Sequence, residues 1–176
     1  GGATCISVLT DADHFGGSVE DLTRAREAVT VPVLRKDFTV DARDVCDARI
    51  MGADAVLLIV SALDDAELVD HHALALELGL DALVEVHDEA ELETALKHGA
   101  RLIGVNNRNL RTFETSLETS RRLLPQIPAG VTVVSESGLE RRDELDELEA
   151  CGCHAFLVGE ALMRAPHPGR ALAGLL

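Results

Sequence analysis

A chain of 176 residues, 47% of them hydrophobic, is one domain's worth of polypeptide with material for a core. Its net charge of −15 and its four aromatics, all Phe, argue against nucleic acid or an anionic membrane as a partner. No apolar run is long enough to span a membrane and no signal-peptide pattern opens the chain, so a cytoplasmic setting is expected. Cys5, Cys46, Cys151 and Cys153 have neither disulfide-scaffold density nor zinc spacing, which predicts reduced, mostly buried thiols.

Strand and helix signals then alternate along the chain. Strands are predicted near 4–10, 31–37, 54–60, 81–86, 101–106, 131–136 and 155–159. Helices are predicted near 18–29, 41–51, 63–78, 88–98, 115–124, 140–151 and 160–175. Ser18, Asp41 and Asp88 place capping side chains ahead of amphipathic stretches. One phrase recurs, beginning at Gly52, Gly79, Gly99 and Gly152. Each Gly stands where a helix would stop, at a position where positive φ is cheap, and a short aliphatic run follows it.

Short apolar strands alternating with helices describe a parallel sheet in an α/β fold. No Gly-x-Gly-x-x-Gly follows any strand, so a (β/α)8 TIM barrel is preferred to an open doubly wound sheet. Seven units are one short of eight, and such barrels run to about 250 residues. The expected architecture is therefore an incomplete TIM barrel, a single partial domain over 1–176 with strands 2 to 8 present.

Among 16 basic residues only Lys36 and Lys97 are lysines. Lys36 ends a strand, where it is either a surface charge or a proton donor, since a partly desolvated Lys gives up its proton more readily than Arg. Strand alternation sets Leu34, Lys36 and Phe38 on one face and Arg35 and Asp37 on the other, the first face pointing inward in a barrel. Glu85, Asn106 and Glu136 stand at the ends of three further strands, where barrel enzymes place their chemistry. Ser135-Glu136-Ser137-Gly138 and Val158-Gly159-Glu160 end the last two strands, and each turn is either a phosphate cradle or a tight connection that needs Gly.

Leu34-Arg-Lys-Asp-Phe38, Gly52-Ala-Asp-Ala-Val-Leu-Leu-Ile-Val60, Leu83-Val-Glu-Val-His87, Gly104-Val-Asn-Asn-Arg-Asn-Leu110, Ser135-Glu-Ser-Gly138 and Leu157-Val-Gly-Glu160, taken in order, resemble indole-3-glycerol phosphate synthase. Ser7-Val-Leu-Thr-Asp11 and Phe15-Gly-Gly-Ser18 look like that family's second strand and following loop. The resemblance implies a carboxy-lyase of tryptophan biosynthesis without a cofactor or metal. It would close the ring of 1-(2-carboxyphenylamino)-1-deoxyribulose 5-phosphate to indole-3-glycerol phosphate, releasing carbon dioxide and water. Lys36 would be the general acid, Glu85 the base of the dehydration, and Asn106 a group that orients substrate and stabilises charge. Arg108 would support the site, and Glu136 and Ser137 would line it. Gly138, Gly159 and Glu160 match the phosphate-binding turns, Glu160 through its backbone only. Phe15, Phe38, Leu57 and Leu157 match the apolar walls. His71, His72, His98 and His167 are expected on solvated faces, and His87 matches no role.

The family's first-strand Lys-x-x-Ser-Pro-Ser-type motif, with a second catalytic Lys, has no counterpart here, so little activity is expected of the chain by itself. Two alternatives remain. One is a sister phosphate-binding barrel such as phosphoribosylanthranilate isomerase; the other is a non-catalytic assembly unit whose open strand edges promote self-association.

Overall fold

A computed structural model describes all of residues 1–176. Seven strands form one sheet in chain order: β1 (Ile6–Leu9), β2 (Val33–Lys36), β3 (Ala55–Ile59), β4 (Asp81–Val86), β5 (Leu102–Asn106), β6 (Thr132–Glu136) and β7 (Ala155–Leu157). Sequential order with a helix on every crossover is barrel topology, with seven of eight strands; a doubly wound sheet would reverse its order at a switch point. Two compact units divide the chain within β4: Thr4–Val84, and Glu85–Leu176 together with Gly1–Ala3.

In the first unit, α1 (Ala12–Phe15) and α2 (Val19–Ala28) follow β1, α3 (Ala42–Ile50) follows β2, and α4 (Asp65–Glu77) follows β3. Ser18 caps α2 by accepting the Asp21 N–H, and Asp41 caps α3 in a reciprocal box with Asp44. The four-residue α1 is an addition to the predicted elements, and Asp11 caps it. Gly17 lies so close to β1 that a Cβ would collide with the Leu9 carbonyl, which explains a glycine in this loop.

The second unit holds α5 (Glu89–Lys97), α6 (Glu118–Leu123), α7 (Arg142–Ala150), α8 (Glu160–Arg164) and α9 (Pro168–Leu175). The expected single helix over 160–175 is two. Ala165 precedes Pro166 and is extended at φ −74°, ψ 142°, because the proline ring disfavours helical geometry in the residue before it. The helix expected from 115 begins at Glu118. Residues 107–116 fold back on themselves first, through an antiparallel bridge between Arg108 and Thr115 and a hydrogen bond from the Ser116 N–H to the Asn107 carbonyl at 2.9 Å.

The four recurring glycines all end helices in the same way. Gly52, Gly79, Gly99 and Gly152 have φ of 90°, 73°, 80° and 98°. In each case the Gly N–H bonds the carbonyl three residues back and the next N–H bonds the carbonyl five back, a Schellman stop. The residue after each Gly (Ala53, Leu80, Ala100 or Cys153) is buried. After three of these stops the following residue makes the first ladder bond: Asp54 N–H to Val33 O at 2.8 Å, Asp81 N–H to Asp54 O at 2.9 Å, and His154 N–H to Val133 O at 2.9 Å.

Two expectations about burial are corrected. Cys5 and Cys151 are exposed and only Cys153 is fully buried, because Cys5 precedes its strand and Cys151 caps the end of α7. His71 is 6% exposed, on the face of α4 shared with Leu68 and Ala75, the i−3 and i+4 positions of the buried stripe.

The face of β2 opposite Lys36 is polar yet buried. Arg35 is 7% exposed and Asp37 8%. Arg35 donates from Nη2 to Asp37 at 2.9 Å, from Nε to Thr10 Oγ1 at 3.1 Å and from Nη1 to the Asp44 carbonyl in α3 at 2.6 Å. Thr10 also donates to Asp37. The group ties the ends of β1 and β2 to α3. Asp37→Ala should cost about 3–5 kcal/mol by leaving a buried charge unmatched. Arg35→Met combined with Asp37→Leu should cost less, and urea unfolding of the three chains measures the difference.

Candidate active site

In the first unit, register pairs Leu9 with Lys36 and Arg35 with Val56, so that Lys36 and Leu57 follow as the next positions along β2 and β3. Lys36 is half-buried and Leu57 is 2% exposed. Beyond these strands Phe15 and Phe38 stack, with ring centroids 5.4 Å apart and an interplanar angle of 23°, and His14 meets Phe38 edge-on at 6.0 Å. Two residues assigned to the apolar walls from sequence thus lie together, although 23 positions separate Phe15 from Phe38. Both remain exposed, at 47% and 38%.

In the second unit, register sets Asn106 of β5 opposite Glu136 of β6, and Glu136 opposite Leu157 of β7. Three predicted residues therefore stand level at the C-terminal ends of adjacent strands. Glu136 is 1% exposed and Asn106 6%, and Glu85, next to last in β4, is 1% exposed. Asn106 also accepts the Arg108 N–H at 3.0 Å, which turns the chain at the end of β5.

Ser137 and Gly138 follow β6 with φ of 67° and 72°. Two successive left-handed residues make a sharp turn, and for Ser this conformation is costly. Asn107 braces that turn. Its Nδ2 donates to Ser135 Oγ at 3.0 Å, the Glu136 carbonyl at 2.9 Å and the Ser137 carbonyl at 3.2 Å; its Oδ1 accepts the Ser120 N–H at 3.1 Å. Ser120 and Ser135 hydroxyls meet at 2.8 Å. None of Asn107, Ser120 or Ser135 was given a role of its own from sequence, since the contacts join residues 13 to 30 positions apart.

Glu160, at the start of α8, turns its carboxylate onto Arg108 Nη2 at 2.7 Å and Arg164 Nη2 at 2.7 Å. Arg108 also donates to the Phe113 carbonyl at 3.2 Å, so its guanidinium is engaged with the loops. The side chain of Glu160 is occupied by cations of its own chain. Gly159 has no atom within 4 Å of where a Cβ would sit, so close contact does not explain its being Gly.

His87, given no role above, lies between two carboxylates. Its Nε2 is 3.2 Å from Glu85 Oε1, an ion-pair distance without hydrogen-bond alignment, and its Nδ1 is 2.9 Å from Glu91 Oε2. Burial opposes charge on the ring, yet the facing carboxylates of Glu85 and Glu91 prevail and push its pKa up to about 9. The sequence signal was present: Glu85 is two positions away along a strand and Glu91 four positions along the chain. No group of three His, Cys, Asp or Glu is arranged to hold a metal ion, and no helix is long and apolar enough to cross a membrane.

The family model described as indole-3-glycerol phosphate synthase matches residues 1–175. The chain is 57% identical over 173 residues to the indole-3-glycerol phosphate synthase of Variovorax paradoxus (strain S110), covering 98% of this chain and 65% of that one. It thus spans less than two-thirds of that relative's length. Among solved structures it is similar to KGPDC from Streptococcus mutans, at TM-score 0.71 and 18% identity over 98% of this chain and 83% of that one. It is also similar to native KDPGal, at TM-score 0.67 and 16% identity over 99% and 79%. At such identities these two likenesses show the fold alone.

Two outcomes follow from the geometry. Asn107→Ala should destabilise the chain by about 2–4 kcal/mol, because it strips partners from buried polar groups; urea midpoints and faster amide exchange at Ser120 check it. His87 has a pKa raised in the folded state, so its protonation favours folding. That contribution should be complete below about pH 6.5 and vanish as pH rises through about 9. Urea midpoints of the chain should fall across that window, and those of His87→Gln should lack this component.

Proposed function

The chain belongs to the indole-3-glycerol phosphate synthase family, and from that premise we propose that its strand-end residues perform the ring closure of 1-(2-carboxyphenylamino)-1-deoxyribulose 5-phosphate. The observation that supports this most is the pair of carboxylates, Glu85 and Glu136, each 1% exposed at the C-terminal end of a strand. An ionised carboxylate in such a place costs several kcal/mol of lost hydration, so packing alone gives no reason to keep one there, still less two.

Lys36 delivers a proton to the ketone oxygen as the carboxylate-bearing ring carbon attacks the carbonyl carbon. Loss of carbon dioxide restores the aromatic ring. The new hydroxyl then takes up a proton from solvent and leaves as water, and Glu85 removes the carbon-bound proton whose loss completes the indole. The two steps need groups of opposite role, which a Lys and a Glu supply. Asn106 orients the substrate and stabilises charge, while Glu136 and Ser137 line the site with Arg108 in support. Phe15, Phe38, Leu57 and Leu157 contribute apolar surface for the anthranilate ring. The turns at Ser137-Gly138 and Gly159-Glu160 hold the phosphate through backbone N–H groups.

The test joins the N-terminal part of the Variovorax relative to Gly1 and follows formation of the indole product by absorbance. The joined protein should turn over the substrate, and Lys36→Ala and Glu85→Gln should each lower kcat about 10²–10⁴-fold. Parental kcat in either variant sinks the role given to that residue.

A further inference from the structure

The proposed mechanism gives Glu85 a role, but none to the residue that faces it. Glu85 and His87 lie two apart where β4 ends, and such residues project to the same side of a strand. Asp88 then caps α5 by accepting the Glu91 N–H at 3.0 Å. Glu91 reaches back in turn, its Oε2 accepting the His87 backbone N–H at 2.8 Å and lying 2.9 Å from the His87 Nδ1. A helix cap needs only that backbone N–H, which any residue but proline provides. The ring contact is additional and fixes the imidazole plane. With Nδ1 turned to Glu91, the opposite nitrogen faces Glu85 at 3.2 Å.

Both ring nitrogens therefore face carboxylates, and negative charge on both sides favours the doubly protonated cation. The side chains are 14% exposed for His87, 18% for Glu91 and 1% for Glu85. Charges so little hydrated interact more strongly than surface ion pairs do.

We propose that His87 is a positioning residue for Glu85: an imidazolium anchored by Glu91 to the start of α5, which orients the Glu85 carboxylate and favours its ionised form. The proposal rests on the reading of Glu85 as the base. A base that must accept a proton from carbon has to be ionised beforehand, and Glu85 lies where burial works against that. The raised pKa of His87 agrees with the geometry.

Nuclear magnetic resonance on the 176-residue chain tests this without turnover. Ring ¹⁵N shifts of His87 should show both nitrogens protonated at pH 7, and Glu91→Gln should lower the pH at which the ring titrates. In His87→Gln the side-chain ¹³C signal of Glu85 should titrate at least about tenfold higher in proton affinity, one pH unit. Glu91→Gln, which keeps shape and leaves Glu85 in place, should move it in the same direction by less. In the joined enzyme His87→Gln should lower kcat about tenfold with little change in KM, as expected for lost orientation of a base. An unchanged Glu85 titration in both variants overturns the positioning claim. Parental kcat in Glu85→Gln with the titration shifted overturns instead the reading beneath it, so the two failures are distinguishable.

Discussion

Four of the helices, α3, α4, α5 and α7, stop in one way, and the strand that follows each depends on it. At Gly52, Gly79, Gly99 and Gly152 the backbone enters the left-handed region and closes two hydrogen bonds back onto the helix. The next residue drops into the core, and after three of the four stops the one after that makes the first ladder bond to the previous strand. Helix end and strand register are thus set within three residues. An added Cβ would oppose the conformation at each Gly, and at Gly52 it would also come within 3.2 Å of Arg26. Because side chains alternate along a strand, a register slip of one residue would turn every strand-end group to the wrong face.

That alternation divides the polar residues at the strand ends into two kinds of work. On β2, Arg35 and Asp37 bond to Thr10 and α3, leaving Lys36 on the opposite face. After β5, Asn107 is consumed by the Ser137 turn and Ser120, whereas Asn106 stands level with Glu136. On β6, Ser135 bonds Asn107 and Ser120, and Glu136 is the residue beside it. In each case one polar residue secures the backbone that positions its neighbour. The cost of burying a polar group without a partner explains why the supporting residues are as fully bonded as Asn107.

His87 joins the two kinds. Its backbone N–H belongs to the start of α5, its ring to Glu91, and its far nitrogen faces Glu85. Helix-cap chemistry and the electrostatics of a proposed base thereby share one side chain.

Much of this was legible in the residues alone, because its causes are local. Gly after an amphipathic stretch, Asp or Ser before one, and aliphatic runs between them specify elements through interactions spanning at most five residues. They located all seven strands and, with one break and one late start, the longer helices. The Glu85, Asn106 and Glu136 positions were legible for the same reason, being polar residues interrupting apolar strand patterns. What the linear pattern hides is pairing at a distance: Asn107 with Ser135 across 28 positions, Arg108 with Glu160 across 52, and Phe15 against Phe38. His71 was misplaced because its burial depends on what packs over α4, not on its own polarity. Pro166 did carry a local signal, yet the apolar period running through it masked the break. The sequence by itself determined the order of strands and helices and the residue types at the strand ends, since backbone preference and periodicity act between near neighbours. Which of those residues secure the backbone and which stand beside a potential reaction was decided by tertiary structure, because register and burial exist only once distant segments meet.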